Sequence, residues 1–334
     1  MVASVVLACG AAVPARTVTN EELAPVLDVA PAAIAELTGV ARRHWVASGA
    51  GPSDLGRDAA ADALQRAGLG PEAIDLIVFA TMTPDIAFPG SGCFLQDKLG
   101  CREVGAIDVR AQCAGFLFAL ATADRFVRAG AASCVLVVGA EVHSTALDRT
   151  PRGATVTPRF GDGAGAMIVG AGLGAGDTPG VLATVLHTDP TDFERFWCEY
   201  PSSRHFPARM EMEHFERGLH YYVIDAPALD RQAEPTLTAT VAETLAKANL
   251  GVDAIDLCVA HYLDPRLARR AARGAGFPDD RILVPGDSLG HVAAGGIPMA
   301  LADATASGRI GRGARVCCVA FGAGISWAGA VLQL

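Results

Sequence analysis

Cys113 is the residue whose neighbours best equip it for chemistry. It stands in Val104-Gly-Ala-Ile-Asp-Val-Arg-Ala-Gln-Cys113-Ala-Gly-Phe-Leu-Phe-Ala-Leu120. The first part, an apolar run bounded by Gly105 and Arg110, predicts a buried strand. Phe116, Leu117 and Leu120, at helical spacing, predict a helix. The cysteine therefore lies where a strand hands over to a helix N-terminus. Unpaired N–H groups and the positive end of the helix dipole favour a thiolate there, and a thiolate is a nucleophile. A lone cysteine among apolar residues has a second reading, an inert core thiol. Position alone leaves the two even.

The elements around Cys113 belong to a repeat. Gly70-Pro-Glu-Ala-Ile-Asp-Leu-Ile-Val-Phe-Ala80 and Gly251-Val-Asp-Ala-Ile-Asp-Leu-Cys-Val-Ala-His261 nearly copy one another at an offset of 181 residues. Each follows an amphipathic stretch, Asp58–Ala67 and Thr238–Ala248. The same offset carries Val135-Leu-Val-Val138 onto Val316-Cys-Cys-Val319. A glycine-rich hairpin is expected at both Phe160-Gly-Asp-Gly-Ala-Gly165 and Phe321-Gly-Ala-Gly-Ile-Ser326. Matched pairs in one order predict two related α/β halves, 1–174 and 175–334, each with a mixed sheet and flanking helices. Duplicated halves offer their shared interface as a ligand cleft.

Residues 187–222 break the repeat. They include Trp197, Tyr200 and Arg204 in an aromatic, proline-punctuated, charged stretch, which predicts a lid-like insertion with a substrate-facing wall.

Composition bounds the function classes. At 334 residues the chain is long enough for two domains or one duplicated unit. A net charge of −9 argues against a nucleic-acid binder. The nine cysteines show no Cys-x-x-Cys or paired Cys/His spacing, so no metal site is expected. Reduced thiols in a cytoplasmic protein account for them. Cys317 and Cys318 should point to opposite faces of a strand. The opening run Met1–Gly10 has no basic region and reads as a first strand, not a signal peptide. No apolar run reaches the roughly 18 residues of a membrane helix. The Gly-x-Gly segments lack the strand–GxGxxG–helix order of a dinucleotide site.

These motifs together resemble the β-ketoacyl-ACP synthase III family of the thiolase superfamily, over essentially the whole chain. The matching segments are Asp108-Val-Arg-Ala-Gln-Cys113-Ala-Gly-Phe, Phe160-Gly-Asp-Gly-Ala-Gly-Ala166, Ala87-Phe88-Pro89, Gly295-Gly-Ile-Pro-Met-Ala-Leu301 and Phe321-Gly-Ala-Gly. The resemblance implies the thiolase fold, two duplicated halves in an α-β-α-β-α sandwich. It implies a homodimer in which Phe88 borders the partner's acyl pocket, and Cys113 acylated by a thioester of coenzyme A or acyl carrier protein. No permanently bound cofactor is implied, only the phosphopantetheine arm of the substrate. Backbone N–H groups of Cys113 and Ala323 would hold the oxyanion, with Gly322 beside them. Arg152 matches an arginine near the tunnel mouth.

Two departures bear on function. The family's histidine is kept as His261, within Ala260-His261-Tyr-Leu-Asp264, but the family's asparagine is replaced by His291. Relatives that use coenzyme A stack its adenine between a Trp and an Arg, and here those positions are Ala33 and Leu37. A carrier-protein thioester is therefore the expected donor.

A Cys-His-His set admits two chemistries. The imidazoles can donate hydrogen bonds to a thioester enolate, preserving carbon–carbon bond formation. Alternatively His291, helped by His261, acts as general base toward an acceptor hydroxyl or thiol. Asp264, or Asp287, could orient a ring, although capping and solvated roles are the commoner fate of such carboxylates. The pattern resembles the ketosynthase III-like acyltransferases of polyketide and antibiotic pathways. The expected reaction is thus ping-pong acyl transfer through Cys113 to a thiol or hydroxyl acceptor, small molecule or second carrier protein. Rival readings are a decarboxylative condensing enzyme and a non-catalytic partner subunit. The other histidines, His143 among them, are expected in surface or core roles.

Overall fold

Each half of the chain builds a five-stranded sheet by the same wiring. The computed structural model describes residues 3–172 and 180–334, so the expected boundary between 174 and 175 lies outside the described residues. The first sheet contains β1 (Ser4–Ala12), β2 (Leu76–Ala80), β3 (Gly105–Val109), β4 (Cys134–Glu141) and β5 (Gly163–Ala171), in the order β1-β5-β4-β2-β3. The second contains β6 (Gly180–Thr188), β7 (Leu257–His261), β8 (Ile282–Leu283), β9 (Arg315–Gly322) and β10 (Ser326–Gln333), in the order β6-β10-β9-β7-β8. In both, four strands run in one direction and one opposes them: β2 pairs parallel with β3 and β4, as β7 does with β8 and β9, while β5 and β10 each pair antiparallel with both neighbours. β2 and β7, and β4 and β9, start 181 residues apart, the offset read in the sequence.

Helices cover the faces of these sheets, among them α1 (Pro52–Ala67), α2 (Gly115–Arg128), α3 (Ala226–Ala248), α4 (Pro265–Gly274) and α5 (Gly296–Ala306). Side chains alternate across each strand, so every central strand feeds two cores. In β4, Leu136 and Val138 face α1, packing with Ala59, Ala63 and Leu64. Val135 and Val137 face the other way, onto Leu117 and Leu120 of α2 and Leu301 of α5. Cys318 joins that middle core while its neighbour Cys317 faces Val241 of α3 and Ala268 of α4, so the two thiols do occupy opposite faces. The result is an α-β-α-β-α sandwich. With both faces covered, β4 is buried along its whole length, which explains its unbroken apolar run. Each such aliphatic side chain contributes about 1.5–3 kcal/mol.

The duplication extends to the turns. α2 and α5 also start 181 residues apart, and each is preceded by a short 3-10 turn, Gln112–Ala114 and Ala293–Gly295. Both turns open on a non-glycine residue with positive φ, Gln112 at 45° and Ala293 at 37°. The glycine-rich segments, by contrast, are not equivalents. Phe321-Gly322 ends β9 and turns into β10, whereas Phe160 precedes β5 and bridges to His291. The insertion begins after β6, which takes residues 187 and 188 into the sheet.

Candidate active site

The carboxyl ends of the parallel strands converge at the junction of the halves, where ligand sites of open α/β sheets lie. Past β3 the chain bends at Gln112, and the strained φ there turns Cys113 in front of α2. Cys113 is almost fully buried, and Gly322 at the end of β9 closes over it. A β-carbon on Gly322 would stand 2.5 Å from Sγ, so this position accepts only glycine. Backbone N–H groups of Ala323 and of Cys113 itself bond to the sulfur and favour its anion. Burial is the larger effect and, with the Glu141 charge, pushes the thiol up to about 12. The helix N-terminus thus does not make a resting thiolate: removal from water outweighs the dipole.

His261 closes β7, and His291 lies in the connection before α5. The His291 N–H donates to the Arg159 carbonyl (2.7 Å), and its carbonyl accepts from Gly161 N–H (3.2 Å). These bonds present Nε2 to Cys113 Sγ at 3.0 Å. The His261 and His291 rings stack, with centroids 4.6 Å apart and planes 5° from parallel. A β-carbon at Gly296 would fall 2.5 Å from the His261 ring, so the start of α5 must also be glycine. Neither nitrogen of His261, nor Nδ1 of His291, has a partner in hydrogen-bond geometry. Burial lowers His261 to about 4, against a smaller opposing effect of the Ala293 backbone. It lowers His291 well below the ordinary range, assisted by His261 and His143. Both rings are neutral at pH 7, and His291 is available as a base.

Glu141, His143 and Tyr222 join the site with no role there read from the sequence. Glu141, at the end of β4, is fully buried. It accepts from Met82 N–H and the Thr83 hydroxyl, and more weakly from Ala294 N–H, the counterpart of Cys113 in the second half. Burial raises its carboxyl to about 7 despite these donors. His143, two residues on, bonds the Tyr222 hydroxyl through Nδ1 at 3.2 Å. Phe160 packs on His143, Tyr222, Phe196 and His291. The legible signal was position at the carboxyl end of a parallel strand, which singles out Glu141 and His143.

The other expected site residues are scattered. Asp264 caps α4, accepting from Arg266 N–H at 2.8 Å and pairing with the Arg266 guanidinium at 2.6 Å. It therefore orients neither imidazole; a carboxylate at a helix start finds its donors locally. The carbonyl of Asp287 accepts from Ala41 N–H. Arg152 borders a cavity of about 300 Å³ together with Tyr222, Leu147 and Val156, and its guanidinium pairs with Asp148. The insertion reaches the site through Phe196 and Tyr222. Trp197 packs edge-on against Phe193, Tyr200 stacks between His205 and His214, and Arg204 is exposed. Phe88 is 79% exposed on the connection after β2. Ala33 and Leu37 are exposed on the helix Pro31–Thr38. Nearby, Arg266, Arg269, Arg270 and Arg273 of α4 line a second cavity with Gly39. Among the described residues no three potential ligands gather as a metal site, and no helix is long and apolar enough to cross a membrane.

Comparison with known proteins matches this geometry to one family. Residues 107–190 fit the family model of 3-oxoacyl-[acyl-carrier-protein (ACP)] synthase III, and residues 245–334 fit the model of its C-terminal part. The chain is 36% identical over 337 residues to the β-ketoacyl-[acyl-carrier-protein] synthase III of Paramagnetospirillum magneticum, covering 100% of both. It is 38% identical to that of Rhodospirillum centenum, covering 99% of this chain and 98% of the relative. Among solved structures, it superposes on 3-oxoacyl-[acyl-carrier-protein] synthase III from Aquifex aeolicus with a TM-score of 0.88 at 28% identity, covering 99% and 100% of the two chains. The priming β-ketosynthase of the R1128 polyketide pathway gives a TM-score of 0.88 at 28% identity, covering 99% and 96%.

Proposed function

Because the chain belongs to the 3-oxoacyl-[acyl-carrier-protein] synthase III family, we propose that it takes an acyl group from a thioester onto Cys113 and hands it to a second substrate. The 3.0 Å contact between Sγ and Nε2 of His291 carries this reading. As Sγ attacks the thioester carbonyl, its proton passes to Nε2. The oxyanion rests on the N–H groups of Cys113 and Ala323, a preorganised pair worth about 3 kcal/mol or more per donor. Collapse expels the donor thiolate, which recovers the proton from His291 and leaves acyl-Cys113.

The names of the relatives favour carbon as the second nucleophile. A malonyl thioester would lose carbon dioxide, its electron pair passing to the thioester oxygen. N–H groups of the stacked His261 and His291 would stabilise that oxygen. The carbanion would then attack acyl-Cys113 and release a β-ketoacyl product. This condensing reading has the wider support, and it displaces the simple transfer expected from the sequence as the leading one.

His291 itself favours the second reading. A neutral imidazole beside Sγ can deprotonate a hydroxyl or thiol acceptor, which an asparagine amide cannot. The likeness to the R1128 priming ketosynthase supports a place in polyketide assembly under either reading. A carrier-protein thioester is the favoured donor. Ala33 and Leu37 offer no stacking clamp, while the arginines of α4 suit an acidic carrier. An exposed Phe88 supports a homodimer.

One experiment separates the two. The protein is given an acyl donor with malonyl-carrier protein, and carbon dioxide and product mass are followed. Release with a β-keto product establishes condensation. Acylated Cys113 without release, passing its acyl group to a non-malonyl acceptor, establishes transfer.

A further inference from the structure

The acyl-transfer steps leave one buried polar pair unused. His143 is fully buried, and its Nδ1 is engaged by the Tyr222 hydroxyl at 3.2 Å. Its Nε2 is buried with no partner. Apolar rings pack on it: Phe160 lies 4.7 Å from the imidazole, centroid to centroid, and Leu147, Phe196 and Tyr222 belong to the same cluster. An unpaired polar nitrogen in such a place is costly unless something visits it. Phe160 also stands edge-on to His291 at 5.6 Å, so one ring separates His143 from the catalytic pair. Tyr222 borders the cavity of about 300 Å³ that opens past Leu147 and Val156.

We propose that His143 and Tyr222 seat an oxygen of the acyl group, so that the enzyme selects acyl chains bearing a neutral hydroxyl or keto function over plain saturated ones. The inference rests on the acyl-Cys113 reading. An acyl chain that leaves Sγ and displaces or skirts Phe160, which touches both His291 and His143, would meet the free Nε2. If the Tyr222 hydroxyl donates to Nδ1, Nε2 carries the proton and donates to a keto or hydroxyl oxygen. If Nδ1 donates to the Tyr222 oxygen, Nε2 accepts from a hydroxyl. A carboxylate is disfavoured, because burial holds His143 neutral, with its pKa near 3, and the Arg152 guanidinium is already paired with Asp148.

The test compares butanoyl, 3-hydroxybutanoyl, 3-oxobutanoyl and 2-hydroxybenzoyl pantetheine thioesters, reading the rate of Cys113 acylation by intact-protein mass. The wild type should favour at least one oxygenated chain tenfold or more over butanoyl. His143→Leu should bring that ratio to about one, chiefly by raising the butanoyl rate. Tyr222→Phe, which keeps the ring packing, should lower the ratio as well and serves if the leucine variant does not fold. Equal rates in the wild type, or an unchanged ratio in the variants, overturn this inference and leave the acyl-enzyme standing. No acylation by any thioester overturns the acyl-enzyme itself and this inference with it.

Discussion

Sγ of Cys113 and Nε2 of His291 stand 3.0 Å apart in a site where burial keeps both groups uncharged. The pair is a thiol beside a neutral base, not a preformed thiolate and imidazolium. Under the proposed acyl-enzyme chemistry, a substrate carbonyl placed over the N–H groups of Cys113 and Ala323 would supply the drive for proton transfer.

Alkylation of the free enzyme should report this state. With the Cys113 thiol pushed up to about 12, its folded acidity lies far above that of an ordinary cysteine. The rate of modification by iodoacetamide, followed by peptide mass, should still be rising at pH 9.5. A plateau reached by pH 7 would mean that the ion pair forms at rest.

Replacing the base should separate the half-reactions. His291→Ala should slow acylation by about 10²–10⁴, the range of a lost general base. His291→Asn keeps an amide donor but no base. It should lower transfer to a hydroxyl or thiol acceptor by a similar factor, while carbon dioxide release from a malonyl thioester persists. Unchanged transfer in that variant would remove His291 from the base role.

Gly322→Ala should disable the nucleophile without dismantling the fold. The added β-carbon meets Sγ at 2.5 Å, and a displacement of about 1 Å costs on the order of 10² in rate. Acylation should fall at least that far. Gly251→Ala, which meets nothing within 4 Å, is the control. Full activity in Gly322→Ala would show that the close approach does not exist in solution.

His143 should make stability depend on acidity. Its folded pKa is near 3, below the ordinary 6.5, so between those values the unfolded chain holds the proton and the folded one does not. Its stabilising contribution is full above about 6.5 and is lost as pH falls, at about 1.4 kcal/mol per pH unit. Glu141, raised to about 7, acts in the opposite direction between 4.5 and 7, and does so in wild type and variant alike. Urea unfolding should therefore show a shallower acid loss in His143→Leu than in wild type between pH 5.5 and 4.5. Parallel slopes would mean that His143 is solvated in the folded state.

Arg269→Glu should weaken use of a carrier-protein thioester and spare a pantetheine thioester. Arg269 lies on the α4 face that lines the cavity with Gly39, away from Cys113. The expected change is a severalfold rise in KM for the carrier substrate, fading at high salt. An equal loss with both donors would assign Arg269 a role in the fold.

Much of the architecture was written in local pattern. The repeats at Leu76 and Leu257, the apolar run of β4 and the placement of Cys113 before α2 all follow from periodicity and turn chemistry, which act over a few residues. His261 and His291 were legible only through family resemblance, since nothing local distinguishes a histidine ending a buried strand. For Asp264 the sequence offered both a ring-orienting and a capping role, the second the commoner, and the structure gives the cap of α4.

What the sequence by itself determined is the place of Cys113 at a strand-to-helix turn, the internal repeat and the order of its elements, because these depend on contacts between near neighbours. Tertiary structure alone decided that Glu141, His143 and Tyr222 share the site, since β4 and the insertion reach it from distant parts of the chain. It also decided the protonation of Cys113 and His291, which follows from the water that packing excludes and not from residue type.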